Sequence, residues 1–272
     1  MSLMKVSDMT YQIRSVFRYL FRAKYSGGHG VHSPFAFDKI TNVFEETYPY
    51  YSYQPIEALR QVLKRSKETI EVTDFGTGKG GCRKVSEMAR RSLKSARYAQ
   101  LIHRVVHDVK ATTIVELGTS LGITTAYLSA SNKRGRILTF EGCPQTMNIA
   151  KRVNQTLRKS GVLSDNITYI VGNIDETLPK ALQQIDRLDA VFFDANHTKK
   201  ATLNYFYQCL PKISENAVFI FDDIHHSQQM EEAWEEIKNH EACRVAFDLY
   251  QLGIIYFSPK VQRGYYRYLF KN

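Results

Sequence analysis

The chain has 272 residues, 43% of them hydrophobic and 24% charged, proportions that allow a substantial core and exclude a disordered chain. No run reaches the roughly 18 apolar residues of a membrane span, and the opening MSLMKVSDMTYQIRSVFRYLF lacks a signal peptide's apolar region and cleavage site, which points to the cytoplasm. Of the formal charge of +10, residues 1–110 carry +9 and residues 111–272 only +1. That basic surface suits nucleic acid, an anionic lipid face or an acidic substrate, because one sequence-independent field attracts all three.

The four cysteines, Cys82, Cys143, Cys209 and Cys243, form no C-x-x-C pair, which argues against a zinc site or a disulfide framework and for reduced thiols. From Tyr11 to Tyr25, Ile13, Val16, Phe17, Leu20 and Phe21 fall at helical spacing with Arg14, Arg18, Arg22 and Lys24 opposite. The ordinary expectation for such a helix is that its apolar stripe docks on its own domain, with a membrane-surface role as the alternative. SGGHGVHSPFAF comes next, an ordered loop whose His29 and His32 would otherwise belong to a lid over a site. Tyr48, Tyr50, Tyr51 and Tyr53 then precede a helix from Pro55 to about Ser66, and packing with exposed hydroxyls is expected of them before stacking on a planar substrate.

Gly76, Gly78 and Gly81 satisfy G-x-G-x-x-G behind an apparent strand. A dinucleotide site also needs an acid about 20 residues on, at the end of a second strand. The segment after Gly81 is a basic helical pattern without a strand, and Glu116, 40 residues after Gly76, is too far. This is a glycine-rich loop outside the cofactor site.

Residues 1–97 thus form a mainly helical, basic region on the lid or substrate side, and residues 98–272 an α/β domain. Strands end at Glu116, Glu141, Val171, Asp194 and the pair Asp222 and Asp223, with helices between, Pro144 opening one of them and Gly161 closing it. Arg244 to Tyr250 and Leu252 to Phe257 are strands with almost nothing between them, so the last one runs antiparallel. The expected fold is α/β: a Rossmann-like, mostly parallel sheet of seven strands, the last antiparallel, with helices on both faces and an N-terminal helical extension. Ligands bind such sheets at the strand C-terminal ends. Glu116, Glu141, Asp194, Asp222 and Asp223 are expected to share that rim, a costly arrangement unless a cation or hydrogen-bond donors compensate.

TIVELGTSLG, residues 113–122, reads as strand, tight turn and helix N-terminus, where glycine admits close approach and free N–H groups favour an anionic ligand. Glu141 lies 23 residues after Gly118, the distance at which a carboxylate takes both ribose hydroxyls of a nucleoside. The E-x-G-x-x-x-G spacing is wider than a pyrophosphate clamp. In these features and the terminal hairpin the chain resembles the class I S-adenosylmethionine-dependent methyltransferases, with Glu116 to Gly122 as first motif and Glu141 as ribose acid. ELGTSLGITTAYL, ILTFEGCP, VFFDANH and VFIFDDI are similar to the metal-dependent O-methyltransferases of the catechol and caffeoyl-CoA kind, over about residues 98–258.

That resemblance implies cofactor contacts from Glu116, Gly118, Thr119, Ser120, Gly122, Thr124, Glu141, Gly142, Asn173 and Asp194, with Ser120 and Thr124 near the methionine carboxylate and Asn173 near the adenine. It implies a divalent cation such as Mg²⁺ on Asp194, Asp222 and Asp223, binding two vicinal oxygens of a small-molecule acceptor. The chain departs from the family twice: Asp223 stands for an amide, and His197 for the lysine that assists removal of the hydroxyl proton, so His197 and Asp194 become the catalytic candidates. His225 and His226 are spare bases. The implied activity is methyl transfer from S-adenosylmethionine to an oxygen of a small molecule. The alternatives are an RNA acceptor docked on the basic N-terminal part, a nucleoside-binding fold without turnover, and a nicotinamide module using the Gly76 loop. A homodimer stays open.

Overall fold

The computed structural model describes residues 6–23, 30–73 and 80–270. His29, Gly76 and Gly78 lie outside them, so the expectations for His29 and for most of the Gly76 loop fall outside the described residues. In chain order the elements are helices α1 (Val6–Arg22), α2 (Pro34–Lys39, continued by one π turn), α3 (Tyr53–Arg65), strands β1 (Thr69–Val72) and β2 (Gly81–Lys84), then α4 (Val85–Arg91) and α5 (Ala96–Asp108). The regular alternation continues as β3 (Thr113–Leu117), α6 (Ile123–Ser131), β4 (Arg136–Glu141), α7 (Pro144–Lys159), β5 (Ile167–Val171), α8 (Ile174–Leu182), β6 (Leu188–Phe193), α9 (Lys199–Cys209), β7 (Ile213–Asp222) and α10 (Gln228–Asn239). β8 (Val245–Asp248), β9 (Leu252–Tyr256) and β10 (Gly264–Arg267) complete the chain.

The large sheet has the order β10-β8-β9-β7-β6-β3-β4-β5. Two compact units divide the chain, residues 47–191 and residues 1–46 with 192–272, so β6 passes from the first into the second at Val191. Residues 47–97 group with the first unit and residues 1–46 with the second, and no boundary falls at residue 97.

In the unit of residues 47–191, β3, β4 and β5 pair in parallel. The start of β3 is fixed by Asp189, whose Oδ2 accepts from Thr112 N at 2.8 Å, Thr112 Oγ1 at 2.6 Å and Thr113 N at 3.0 Å. Tyr53, Ile56, Leu121, Ile123, Tyr127, Ile149 and Val153 belong to one buried cluster joining α3, α6 and α7. Of the clustered tyrosines, Tyr53 is buried and Tyr50 packs on the His103 and His107 rings, whereas Tyr48 and Tyr51 are exposed. β2 corrects one expectation: a strand does come after the second glycine-rich loop, but it pairs antiparallel with β1 in a separate two-stranded sheet. That is a hairpin and not the strand-turn-helix a dinucleotide needs.

In the other unit β9 runs antiparallel to both β7 and β8, as the short connection required. An eighth strand, β10, adds to the expected seven and lies parallel to β8. Four residues, GYYR, carry no alternation to announce it; Tyr265 secures it by donating to Asp248 Oδ2 at 2.8 Å. A larger departure is α1. Of the described stripe residues, Val16, Phe17, Leu20 and Phe21 stay exposed, and Ser15 and Tyr19 are buried instead. The reason is polar: Tyr19 Oη donates to Asp248 O at 2.9 Å and Tyr268 O at 2.6 Å, Tyr11 donates to Glu231, and Arg18 pairs with Glu231 at 3.4 Å. All four cysteines are free thiols. Among the described residues no helix is long and apolar enough to cross a membrane.

Candidate functional site

The turn after β3 is built from backbone that few residues tolerate. Gly118 and Gly122 have φ of 102° and 81°, and Ser120 between them is left-handed at 49°. A Cβ on Gly122 would stand 2.8 Å from Ala150 Cα, so α6 and α7 meet there only across glycine. Gly118 N and Thr119 N both donate to Phe140 O at 3.0 Å, drawing the turn to the end of β4.

Glu141, at that end, meets the turn directly. Its Oε2 accepts from Ser120 N at 2.9 Å and its Oε1 from Cys143 N at 3.0 Å. Gly142 is next in the chain, half-buried, and Thr124 is buried in the first turn of α6. Asn173 caps α8, its side chain accepting from Asp175 N at 3.0 Å.

Glu116 does not join the rim. It is fully buried, and its Oε2 accepts from Thr125 Oγ1 at 2.5 Å and Thr139 Oγ1 at 2.6 Å, while Thr139 Oγ1 also shares a 2.5 Å bond with Thr119. As the last-but-one residue of β3 it points inward, and fastens β3, β4 and α6 beneath the turn. The expectation that Glu116 stands on a ligand-facing rim is therefore not met. Nothing in the primary pattern marks Thr125 and Thr139 as its partners, since one comes from α6 and the other from β4.

In the other unit, Asp194 comes directly after β6 and Asp222 ends β7. Ligand atoms of Asp194, His197 and Asp222 all lie within 4.8 Å of one another. Asp223 comes next in a left-handed conformation, φ 53°, outside that group of three. Thr198, not His197, caps α9, accepting from Ala201 N at 3.3 Å. Asn196, at φ 50° and donating to Tyr205 Oη at 2.7 Å, bends the chain so that His197 Nε2 returns to 3.5 Å from Asp194 Oδ1. Burial works against the imidazolium, but the hydrogen bond and charge of Asp194 and the charges of Asp222 and Asp223 outweigh it and raise the His197 pKa to about 9.

Two carboxylates and one imidazole form a donor set that fits a divalent cation, Mg²⁺ through the oxygens alone and Mn²⁺ or Zn²⁺ with the nitrogen as well. Of the spare bases, His225 is engaged otherwise, while the His226 ring centroid lies 6.5 Å from that of His197. His225 is buried with Nε2 at 3.0 and 3.1 Å from the Asp248 carboxylate, and exposed His226 stands 3.4 Å from Gln12 Nε2.

Residues 115–224 match the family model described as a methyltransferase domain. A comparison with curated protein sequences returns no match. The fold is similar to cofactor-bound Rv0187 from MTB, at 18% identity and TM-score 0.57 over 82% of this chain and 94% of that one. It is similar to the O-methyltransferase from Bacillus cereus in complex with SAH, at 15% identity and TM-score 0.55 over 81% and 96%. A third is TomG from Streptomyces achromogenes, an O-methyltransferase involved in tomaymycin synthesis in complex with SAM, at 19% identity and TM-score 0.52 over 61% and 82%. The chain has the class I methyltransferase fold, with the match to the methyltransferase-domain model confined to residues 115–224.

Proposed function

We propose that this chain transfers the methyl group of S-adenosylmethionine to an oxygen of a small-molecule acceptor. The observation that carries the reading is the left-handed Gly118–Gly122 turn with the Glu141 carboxylate held against it, inside the residues that match the methyltransferase-domain model. Glu141 takes the ribose hydroxyls, and Gly118, Thr119, Ser120, Gly122 and Thr124 receive the methionine part. Gly142 and Asn173 flank the nucleoside, and Glu116 holds the turn from beneath.

The sulfonium methyl is already activated, so the protein's tasks are alignment and removal of the acceptor's proton. Asp194 and Asp222 would hold a divalent cation, with Asp223 adding negative charge beside them; the cation when bound would supply the positive charge that lowers a hydroxyl's pKa. His197 is the proton acceptor beside them. Flanked by carboxylates it keeps its own proton at neutral pH, so it accepts another group's proton only when those charges are balanced.

Calorimetric titration of the full chain with S-adenosylhomocysteine and with NAD tests the reading. Binding of the first and none of the second is expected; NAD binding without any response to S-adenosylhomocysteine overturns it. Turnover on small catechol-like acceptors that survives chelators and Asp222→Ala unchanged would remove the cation while leaving methyl transfer in place.

A further inference from the structure

We infer that α1 is a peripheral anchor that lies on an anionic lipid surface. The inference is independent of the methyl-transfer reading and starts from the inverted seating of this helix. Its polar side faces the protein: Ser15 and Tyr19 are 3% and 6% exposed, and the Tyr19 ring packs on Tyr250 and His225 at centroid distances of 5.2 and 5.9 Å. Its apolar side faces outward, with Val16 38%, Phe17 59%, Leu20 50% and Phe21 88% exposed. Those residues are three and four apart, so they form one continuous stripe. A stripe held outward by hydrogen bonds on the opposite side is a built surface, because rolling the helix to cover it would break the bonds of Tyr11, Arg18 and Tyr19.

Charge selects the occupant. Residues 1–25 hold five Lys and Arg against one Asp, and Arg14, beside the stripe, is exposed. A second copy seated on the stripe would bring like charges together, whereas anionic headgroups balance them while the acyl boundary takes Phe17, Leu20 and Phe21. Aromatic and leucine side chains on one face with arginine at its flank is the composition of helices that lie in a membrane interface without crossing it.

The test is cosedimentation of the full chain with vesicles of phosphatidylcholine containing about one third phosphatidylglycerol, compared with phosphatidylcholine alone. Binding is expected to the anionic vesicles, weaker by about tenfold or more to the neutral ones, and reduced when about 0.5 M salt shortens the screening length. The Phe17→Ser, Phe21→Ser double variant alters only exposed positions and is expected to keep the wild-type thermal midpoint while losing about tenfold or more of its lipid binding. No binding to anionic vesicles, or equal binding by the variant, overturns the inference. A wild-type dimer in light scattering that the variant dissolves, without lipid binding, assigns the stripe to a second copy and also overturns it.

Discussion

The Gly118–Gly122 turn with Glu141 and the Asp194, His197, Asp222 cluster are both built at strand ends, yet their electrostatics differ in kind. Around the turn, carboxylate charge is met by donors: Glu141 by two backbone N–H groups, Glu116 by two threonine hydroxyls. At the cluster, two carboxylates crowd a histidine and, with Asp223, raise its pKa to about 9. In the first arrangement backbone and hydroxyl donors face the carboxylates, whereas in the second the carboxylates act on a titratable imidazole. Two histidines mark the contrast, since burial pushes His103 down to about 4 whereas three carboxylates lift His197 to about 9.

The severest way to break the turn is Gly122→Val. Its side chain would enter α7 at Ala150 and its backbone would be forced from φ 81°. A stability loss of about 3 kcal/mol or more in urea unfolding is expected, with S-adenosylhomocysteine binding abolished in calorimetry. Asp222→Ala attacks the cluster instead. It is expected to lower turnover about 100-fold or more while leaving S-adenosylhomocysteine affinity within about twofold, and equal loss of both would mean that the two regions are not separable in this way.

His103 sharpens the comparison through pH. Its folded pKa lies below its ordinary value of 6.5, so the stability it contributes is complete above about 6.5 and is lost as pH falls toward 4. The loss is expected to approach about 3 kcal/mol, read as a steep fall of unfolding free energy between those pH values that a His103→Phe variant lacks. Glu141→Gln removes the charge and sets an NH2 group against one of the two backbone N–H donors. About a tenfold weaker S-adenosylhomocysteine affinity is expected, with a stability loss of about 1 kcal/mol in urea unfolding. Asp223→Asn is the mildest: because its carboxylate lies outside the group of three, turnover at saturating cation is expected to change by less than about threefold.

Local pattern determined most of the framework. The β-branched run before Glu116, the acids at strand ends, Pro144 opening α7 and Gly161 closing it are short-range signals, and the elements stand where those signals put them. The short link between β8 and β9 could be bridged only by a hairpin, and the antiparallel pairing is the result. Tertiary structure was needed for the direction in which a side chain is used. Periodicity says that Phe17 and Leu20 share a face, but only the partners of Tyr11, Arg18 and Tyr19 decide that this face looks outward. Glu116 is buried where threonines from neighbouring elements receive it, although an acid near a strand end reads as a rim residue. The class of fold and the residue types at its strand ends were thus legible in the chain alone, because they depend on near neighbours in sequence. Which of those residues meet each other, and which face the solvent, was decided by contacts between residues far apart in sequence.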